Sequence, residues 1–133
     1  MEKQPYSIEM MDNILVVDAV GPFDIETMLQ YKAETLDKIE QLKHKPWGCI
    51  ACFQETGVFS PEAEAELVIL TKERMRKNMA ALATVIKASN QTDIQQMQLS
   101  RIYESCNTKF HMFSDIKAAQ TWLSQYLEQQ RTA

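Results

Sequence analysis

The fold of this chain is decided by residues 47–67, WGCIACFQETGVFSPEAEAEL, which predict a strand, a loop and a helix in that order. Trp47–Phe53 is a continuous apolar run apart from Gly48, and such runs are typical of strands buried between helix layers in sheets with parallel pairs. After a short loop, Ser60 is suited to cap a helix. Pro61 suits the first helical position, where a missing N–H costs nothing.

The segments on either side of this joint alternate between strand and helix patterns. In chain order we predict strands at 6–11 and 14–20 around an Asp12-Asn13 turn, a helix from Asp24 to about Lys43, the strand and helix of the joint (to about Asn78), a strand at 80–88, a helix from Thr92 or Asp93, a strand at 109–113 and a helix capped by Ser114. The order β-β-α-β-α-β-α-β-α predicts one α/β domain, residues 1–133, with a mixed sheet and helices packed on it.

Three landmarks in this order resemble the SpoIIAA-like family, the STAS-type domains of anti-sigma factor antagonists. They are the hairpin leading through Gly21-Pro22-Phe23 into a long helix, the joint at 47–67, and the ending from Phe113-Ser114-Asp115 to Ala118-Ala119-x-x-Trp122-Leu123. The resemblance covers nearly the whole chain. It implies a non-catalytic regulatory domain that binds a protein partner, kinase-like or sigma-regulatory, through the loop and helix around residues 55–67. It is also compatible with a homodimer.

Ser60 has two interpretations. The resemblance places it where a partner kinase phosphorylates a serine in anti-sigma antagonists, and a helix N-terminus favours a phosphate. The family has Asp-Ser followed by a small residue and Gly, whereas this chain reads Val58-Phe59-Ser60-Pro61. Pro61 lacks one N–H donor, four glutamates at 55, 62, 64 and 66 would repel a phosphate, and no Arg or Lys lies close in sequence. A plain helix cap is therefore preferred, and a phosphosite is the alternative.

Two apolar residues, Val58 and Phe59, are predicted to lie at the tip of this loop. Such side chains either fold back onto the following helix as a hydrophobic staple or are offered to a partner. Together with Ser60 they are the predicted binding residues.

Other candidate chemistry is isolated in the sequence. Cys49 and Cys52 match C-x-x-C, but residues three apart on a strand point to opposite faces, which disfavours a disulfide or a shared metal ion. His44 and His111 belong to no recognisable catalytic motif that would supply a partner nucleophile and an orienting carboxylate. Asp18, inside an apolar strand, either faces solvent at a sheet edge or lines a pocket. We predict no enzyme activity, no catalytic residues, no metal and no cofactor.

Composition narrows the possible partners. A net charge of −4 argues against nucleic acid, and no apolar stretch approaches the roughly 20 residues of a membrane span. Three cysteines without a recognisable signal peptide predict a cytoplasmic protein. The eight methionines suggest an alternative function, binding of a small apolar ligand (a lipid or metabolite) in a Met- and aromatic-lined cavity. Residues expected to face the interior are Met28, Met75, Met79, Met97 and Met112.

Overall fold

The computed structural model describes residues 6–20, 24–53, 59–86 and 92–132. These residues form the elements β1 (Tyr6–Met11), β2 (Ile14–Ala19), α1 (Ile25–Ile39), β3 (Trp47–Phe53), α2 (Pro61–Arg76), β4 (Met79–Ile86), α3 (Thr92–Cys106), β5 (Phe110–Phe113) and α4 (Ile116–Thr132). The predicted order and the α/β class are confirmed. The Gly21-Pro22-Phe23 landmark lies outside the described residues.

The five strands form one mixed sheet in the order β1-β2-β3-β4-β5. β1 pairs antiparallel with β2 across a turn in which Asp12 has φ 55°, and the other neighbouring strands pair parallel. Each crossover from β2 onward moves one strand along the sheet in the same direction. Because such crossovers are right-handed, α1, α2 and α3 all lie on one face of the sheet. We call it the three-helix face, and the opposite face, covered by α4, the single-helix face.

The three-helix face carries the larger core. Leu15, Cys49 and Leu82 lie side by side on the three central strands. The helices add buried side chains above them: Met28, Tyr31, Ile39, Leu67, Leu70, Leu99, Ile102 and Tyr103. Burying each large apolar side chain contributes about 1.5–3 kcal/mol, so this layer supplies much of the stabilisation.

The single-helix face is built from smaller residues. Ala81 and Ala83 of β4 are fully buried there beneath α4. At Gly48 a Cβ atom would lie 2.6 Å from Leu123 Cδ1, so glycine is needed for α4 to approach the sheet. α4 contacts β3, β4 and β5 and leaves Ser7 and Glu9 of β1 exposed. Part of this face is therefore open.

The strand and the helix of the joint at residues 47–67 are held by burial and by a hydrogen bond between the start of β3 and the end of α2. All seven residues of β3 are buried, as the apolar run predicts. Trp47 Nε1 donates a hydrogen bond to Lys77 O (2.7 Å), directly after α2. Asn78, with φ 80°, turns the chain into β4, as asparagine commonly does after a helix.

Two predicted helix ends are wrong. The first helix ends at Ile39 rather than about Lys43, because the following turn bonds Gln41 N to Lys38 O and Leu42 N to Ile39 O and so buries Leu42. The last helix is preceded by Asp115, not Ser114. Asp115 Oδ1 accepts from Lys117 N (3.2 Å), so the aspartate caps the helix.

Candidate functional site

Ser60 is the N-cap of α2, as predicted. Its backbone is extended (φ −67°, ψ 159°), and its Oγ accepts a hydrogen bond from Ala63 N at 3.1 Å. Pro61 occupies the first helical position, and Glu62 lies in the first turn, where carboxylates complement the helix dipole. The hydroxyl of Ser60 thus has a structural role before any other.

Phe59 is folded inward rather than presented at a loop tip. Its side chain is 7% exposed, and its ring meets Phe53 edge-on at a centroid distance of 5.8 Å. The Gln98 side chain holds its backbone from α3: Phe59 N donates to Oε1 (3.0 Å), and Nε2 donates to Phe59 O (3.2 Å). Of the two arrangements open for this side chain, local packing is the one seen. Val58 lies outside the described residues, and binding by these residues stays a prediction.

Two glutamates at the start of α2 are paired with basic residues from neighbouring helices. Arg101 of α3 makes a bidentate contact with Glu64, Nε to Oε1 at 2.8 Å and NH2 to Oε2 at 2.9 Å. Lys32 of α1 binds Glu66 at 3.1 Å. The local sequence around Ser60 contains no sign of these cations, because they come from helices about thirty to forty residues away from the glutamates they bind. They offset part of the acidic charge that would repel a phosphate.

Exposed apolar residues flank the start of α2. Ile25 and Leu29 of α1 are 37% and 46% exposed, and Ile94 and Met97 of α3 are 47% and 63% exposed. The three helices run in parallel away from the carboxyl ends of their strands, so their first turns share one end of the domain. We define the helix-start surface as Ile25, Leu29, Glu62, Ala65, Ile94 and Met97.

The prediction that Met97 faces the interior is therefore wrong. Ile25 and Leu29 also fall near the helical spacing of the apolar residues of α1, yet both are exposed. The residues of α1 that are buried are Met28, Tyr31, Thr35 and Ile39. Apolar positions surround much of this helix, so helical spacing alone does not distinguish the packed stripe from its neighbours. Which apolar positions of a helix stay exposed depends on where the sheet and the other helices pack, and the sequence pattern of the helix does not contain that information.

The two cysteines of the C-x-x-C sequence lie on opposite faces of the sheet, as their spacing predicts. Cys49 is buried in the core of the three-helix face, and Cys52 is buried under α4. Neither takes part in a disulfide bond, and nor does Cys106. Burial raises the pKa of the Cys49 thiol, although the nearby Arg74 acts in the opposite direction. Neither cysteine can join the other in a disulfide in this arrangement.

Asp18 lines a cleft on the single-helix face, which is the second of the two placements left open by the sequence. The cleft has a volume of about 380 Å³. Its lining residues are Ser7, Glu9, Val16, Asp18, Cys52, Val85, Ser114, Asp115 and Ile116. It lies where α4 leaves β1 and β2 uncovered. No group of His, Cys, Asp or Glu side chains within the described ranges is arranged to hold a metal ion.

The two histidines lie apart from this cleft and from each other. His111 is exposed on β5, where its ring lies 4.9 Å from Phe113 and 5.7 Å from Trp122. His44 is exposed in the turn after α1.

A second, interior cavity lies between the sheet and the three helices, where a Met- and aromatic-lined space was predicted. Met28, Tyr31, Phe53, Phe59 and Tyr103 contribute to its lining. Its volume is about 10 Å³, which is room for about one water molecule. A ligand of lipid or metabolite size would require these side chains to move.

The fold is similar to that of a solved crystal structure. The crystal structure of an anti-sigma factor antagonist from Mycobacterium paratuberculosis superposes with a TM-score of 0.63, covering 90% of this chain and 92% of that chain, at 11% sequence identity. This likeness confirms the predicted SpoIIAA-like, STAS-type fold. No protein-family model matches the sequence, and no curated protein matches it. Among the helices of the described residues, none is long and apolar enough to cross a membrane.

Proposed function

We propose that this chain is a single-domain, cytoplasmic regulatory protein that acts by binding a protein partner rather than by catalysis. The observation that carries the proposal is the fold, shared with an anti-sigma factor antagonist over most of both chains. Partner binding is the activity that the name of that antagonist implies. Fold likeness alone does not assign function, so the binding surface is argued from the residues of this chain.

The proposed contact surface is the helix-start surface. It surrounds Ser60 and overlaps the segment 55–67, but its apolar contacts come from α1 and α3 instead of Phe59. Leu29 and Met97 are large apolar side chains with high exposure, one on each side of α2, and burying them against a partner would favour association. The ion pairs Lys32–Glu66 and Arg101–Glu64 connect α2 to α1 and to α3 beside this surface.

A quantitative pulldown from native lysate, followed by calorimetry with the purified partner, tests this surface. Leu29→Glu and Met97→Glu place charge at exposed helical positions and leave the core intact. The matched control is Met11→Glu, which alters an exposed methionine (46%) at the opposite end of the strands. We expect a rise in Kd of about tenfold or more for each surface variant, the effect of losing one strong contact, and no change for the control. Equal binding by all four proteins would refute the proposed surface.

Phosphorylation of Ser60 is the regulatory step we propose for this surface, by a kinase-like partner. Arg101 and Lys32 support it, because they offset part of the negative charge of Glu64 and Glu66 at the start of α2. Intact-mass and peptide analysis of protein from its native cells would show one phosphate on Ser60. Ser60→Asp keeps the helix cap, whereas Ser60→Ala removes it at a cost of about 1 kcal/mol, so stability and binding can be separated. Unmodified Ser60 under all growth conditions would remove the switch while leaving partner binding standing.

A further inference from the structure

The outer edge of β1 is unpaired in the part of the chain that the structure describes. β1 is the first strand of the sheet, and β2 is its neighbour there. Gly48 N of β3 donates to Asn13 O (3.0 Å), and successive residues of a strand point their backbone groups to alternate sides. From Asn13 onward the odd-numbered residues therefore bond to β3, and the even-numbered residues of β2, such as Val16, bond to β1.

The register of the hairpin determines which backbone groups of β1 face outward. Val16 pairs with Glu9, so Glu9 and the residues two positions away from it bond to β2. The N–H and C=O groups of the residues between them, Tyr6, Ile8 and Met10, point away from the sheet. No backbone group from another element of the described chain bonds to them. They are the groups that a sheet edge offers to a further strand.

β1 lacks most of the features that protect a sheet edge from other chains. Natural edge strands are commonly very short, are interrupted by bulges, or carry lysine or proline. β1 has six residues, contains no lysine, arginine or proline, and pairs with β2 in continuous register. β5, at the other edge of the sheet, has four residues. Of the two edges, that of β1 is therefore better able to accept a strand.

A groove lies along this edge between β1 and α1, with a volume of about 420 Å³. Ile8 of β1 lines one side, and Glu34 and Asp37 of α1 line the other. Tyr6 OH donates to Glu34 Oε2 (2.7 Å), which connects the strand to the helix. An exposed edge can bind an extended peptide by strand addition, in which backbone hydrogen bonds supply affinity and adjoining pockets receive alternate side chains.

The charges on both sides of this edge are mostly negative. On the three-helix face the groove carries Glu34 and Asp37 with one basic residue, Lys38. On the single-helix face Glu9 and Asp18 line the cleft of about 380 Å³. Within the described ranges, Glu9, Glu34 and Asp37 form no ion pair with a basic side chain. Side chains of an added strand alternate between the two faces, so a lysine or arginine would meet carboxylates on either face.

We propose that the outer edge of β1 binds an extended peptide rich in lysine or arginine, which adds a sixth strand to the sheet. Charge favours this partner over a second copy of the chain. A copy paired through the same edge would bring the carboxylates of both chains together, and each chain has a net charge of −4. The edge uses other residues than the helix-start surface and does not depend on the function proposed for that surface.

Fluorescence anisotropy with synthetic peptides tests the charge preference. The probe is a labelled peptide of about eight alternating lysine and threonine residues, which has the length and composition of a strand. It should bind, and the same peptide with glutamate in place of lysine should not. Raising the salt concentration should weaken binding, because the carboxylates are exposed.

Ile8→Pro tests the backbone contacts. Proline at this position removes an N–H that faces outward and leaves the hydrogen bonds between β1 and β2 in place, as edge strands tolerate. We expect the Kd of the lysine peptide to rise about tenfold or more, because one hydrogen bond is lost and the ring obstructs the added strand. Ile8→Val keeps the N–H and is the matched control, with a Kd equal to that of the wild type.

A pair of double variants tests the acidic wall of the groove. Glu34→Gln with Asp37→Asn should raise the Kd about three- to tenfold, the effect of losing two exposed ion pairs. Asp93→Asn with Glu104→Gln removes the same charge from exposed positions of α3 and should leave the Kd nearly unchanged.

A measurement on the wild-type protein decides the matter if Ile8→Pro fails to fold. Saturating lysine peptide should slow hydrogen exchange at the amides of Ile8 and Met10, which face outward, by about tenfold or more. The proposal is overturned if the lysine peptide does not bind, if the glutamate peptide binds equally well, or if these amides exchange at the same rate with and without peptide. A dimer that Ile8→Pro dissociates in sedimentation experiments would also overturn it, because the partner of the edge would then be a second copy.

Discussion

The two faces of the sheet are covered by different numbers of helices and packed with side chains of different size. On the three-helix face, large side chains from three helices enclose a polar centre, with Arg74 and two tyrosines buried among them. On the single-helix face, alanines and Gly48 allow α4 to lie close to the strands, and the area beyond α4 is left open as the cleft beside Asp18.

The two faces therefore differ in how strongly they are packed and in how much surface they leave open to a ligand or partner. The three-helix face has helices connected by ion pairs and an interior cavity of about 10 Å³, so its accessible features are the exposed helix starts. The single-helix face depends on one helix, yet it offers a cleft of about 380 Å³. A change under α4 should therefore affect stability through few contacts, whereas a change near Arg74 should disturb a polar network.

The largest effect is expected at the helix that covers the single-helix face. Leu123 is fully buried there, and Leu123→Ala should lower the free energy of unfolding by about 2–5 kcal/mol because it leaves a cavity beneath α4. Urea unfolding measures this, with the exposed Ser124→Ala as control. A loss below about 1 kcal/mol would mean that α4 contributes little to the core.

A somewhat smaller effect is expected at the polar centre of the three-helix face. Tyr31→Phe removes the hydroxyl that accepts the hydrogen bond from Arg74, and should cost about 1.5–3 kcal/mol, since a charged donor loses its buried partner. Tyr6→Phe is the comparison, because the Tyr6 hydroxyl donates to Glu34 in a partly buried position, and it should cost less. Equal losses in urea unfolding would contradict the special role of Arg74.

Gly48→Ala tests the close approach of α4 to the sheet. Its Cβ would meet Leu123 Cδ1 at 2.6 Å, and we expect a cost of about 1–3 kcal/mol from overpacking. In a Leu123→Ala background the obstructing atoms are absent, so the same substitution should become nearly neutral. A double-mutant cycle of unfolding free energies measures this coupling. Additive effects would show that the contact is relieved elsewhere.

The smallest effect concerns acid stability at the end of α1. Hydrogen bonds from Lys43 and then Lys77 lower the pKa of Glu40 from 4.5 to about 2. A carboxyl group with a lowered pKa in the folded state stabilises the protein above its unfolded pKa, and this contribution is lost as pH falls through about 2. Glu40→Gln should therefore be less stable than wild type at pH 6 and equal to it near pH 2, by urea midpoints. Because Glu40 is exposed, the difference is small; Lys77→Met should reproduce part of it.

Local sequence features predicted much of the fold. The apolar run in β3, the Ser60 cap and the hairpin before α1 are short-range signals, and each has its expected structure. The failures have a common cause. Met97, Ile25 and Leu29 satisfy helical spacing but lie where no other element covers them. Serine and aspartate both cap helices. The last helix begins one residue later than predicted, so Asp115 rather than Ser114 is its cap.

The candidate site was less predictable than the fold, because its parts come from distant segments. Ser60 was found as a cap from its own neighbours. Phe59, expected at a loop tip, is held inward by Gln98 of α3, thirty-nine residues away. Arg101, also on α3, forms an ion pair with Glu64 of α2. The sequence pattern around Ser60 does not indicate either of these contacts, because both partners lie on α3.

The sequence by itself determined the order of the elements, the buried character of β3, the cap of α2 and the opposite orientation of Cys49 and Cys52. These follow from backbone preferences and from the periods of strands and helices, which act over a few residues. Only the tertiary structure decided that three helices share one face, that α4 alone approaches Gly48 on the other, and that Arg74 is buried without a carboxylate among the described residues. Those outcomes depend on which surfaces meet when distant segments pack together, and local spacing does not encode that information.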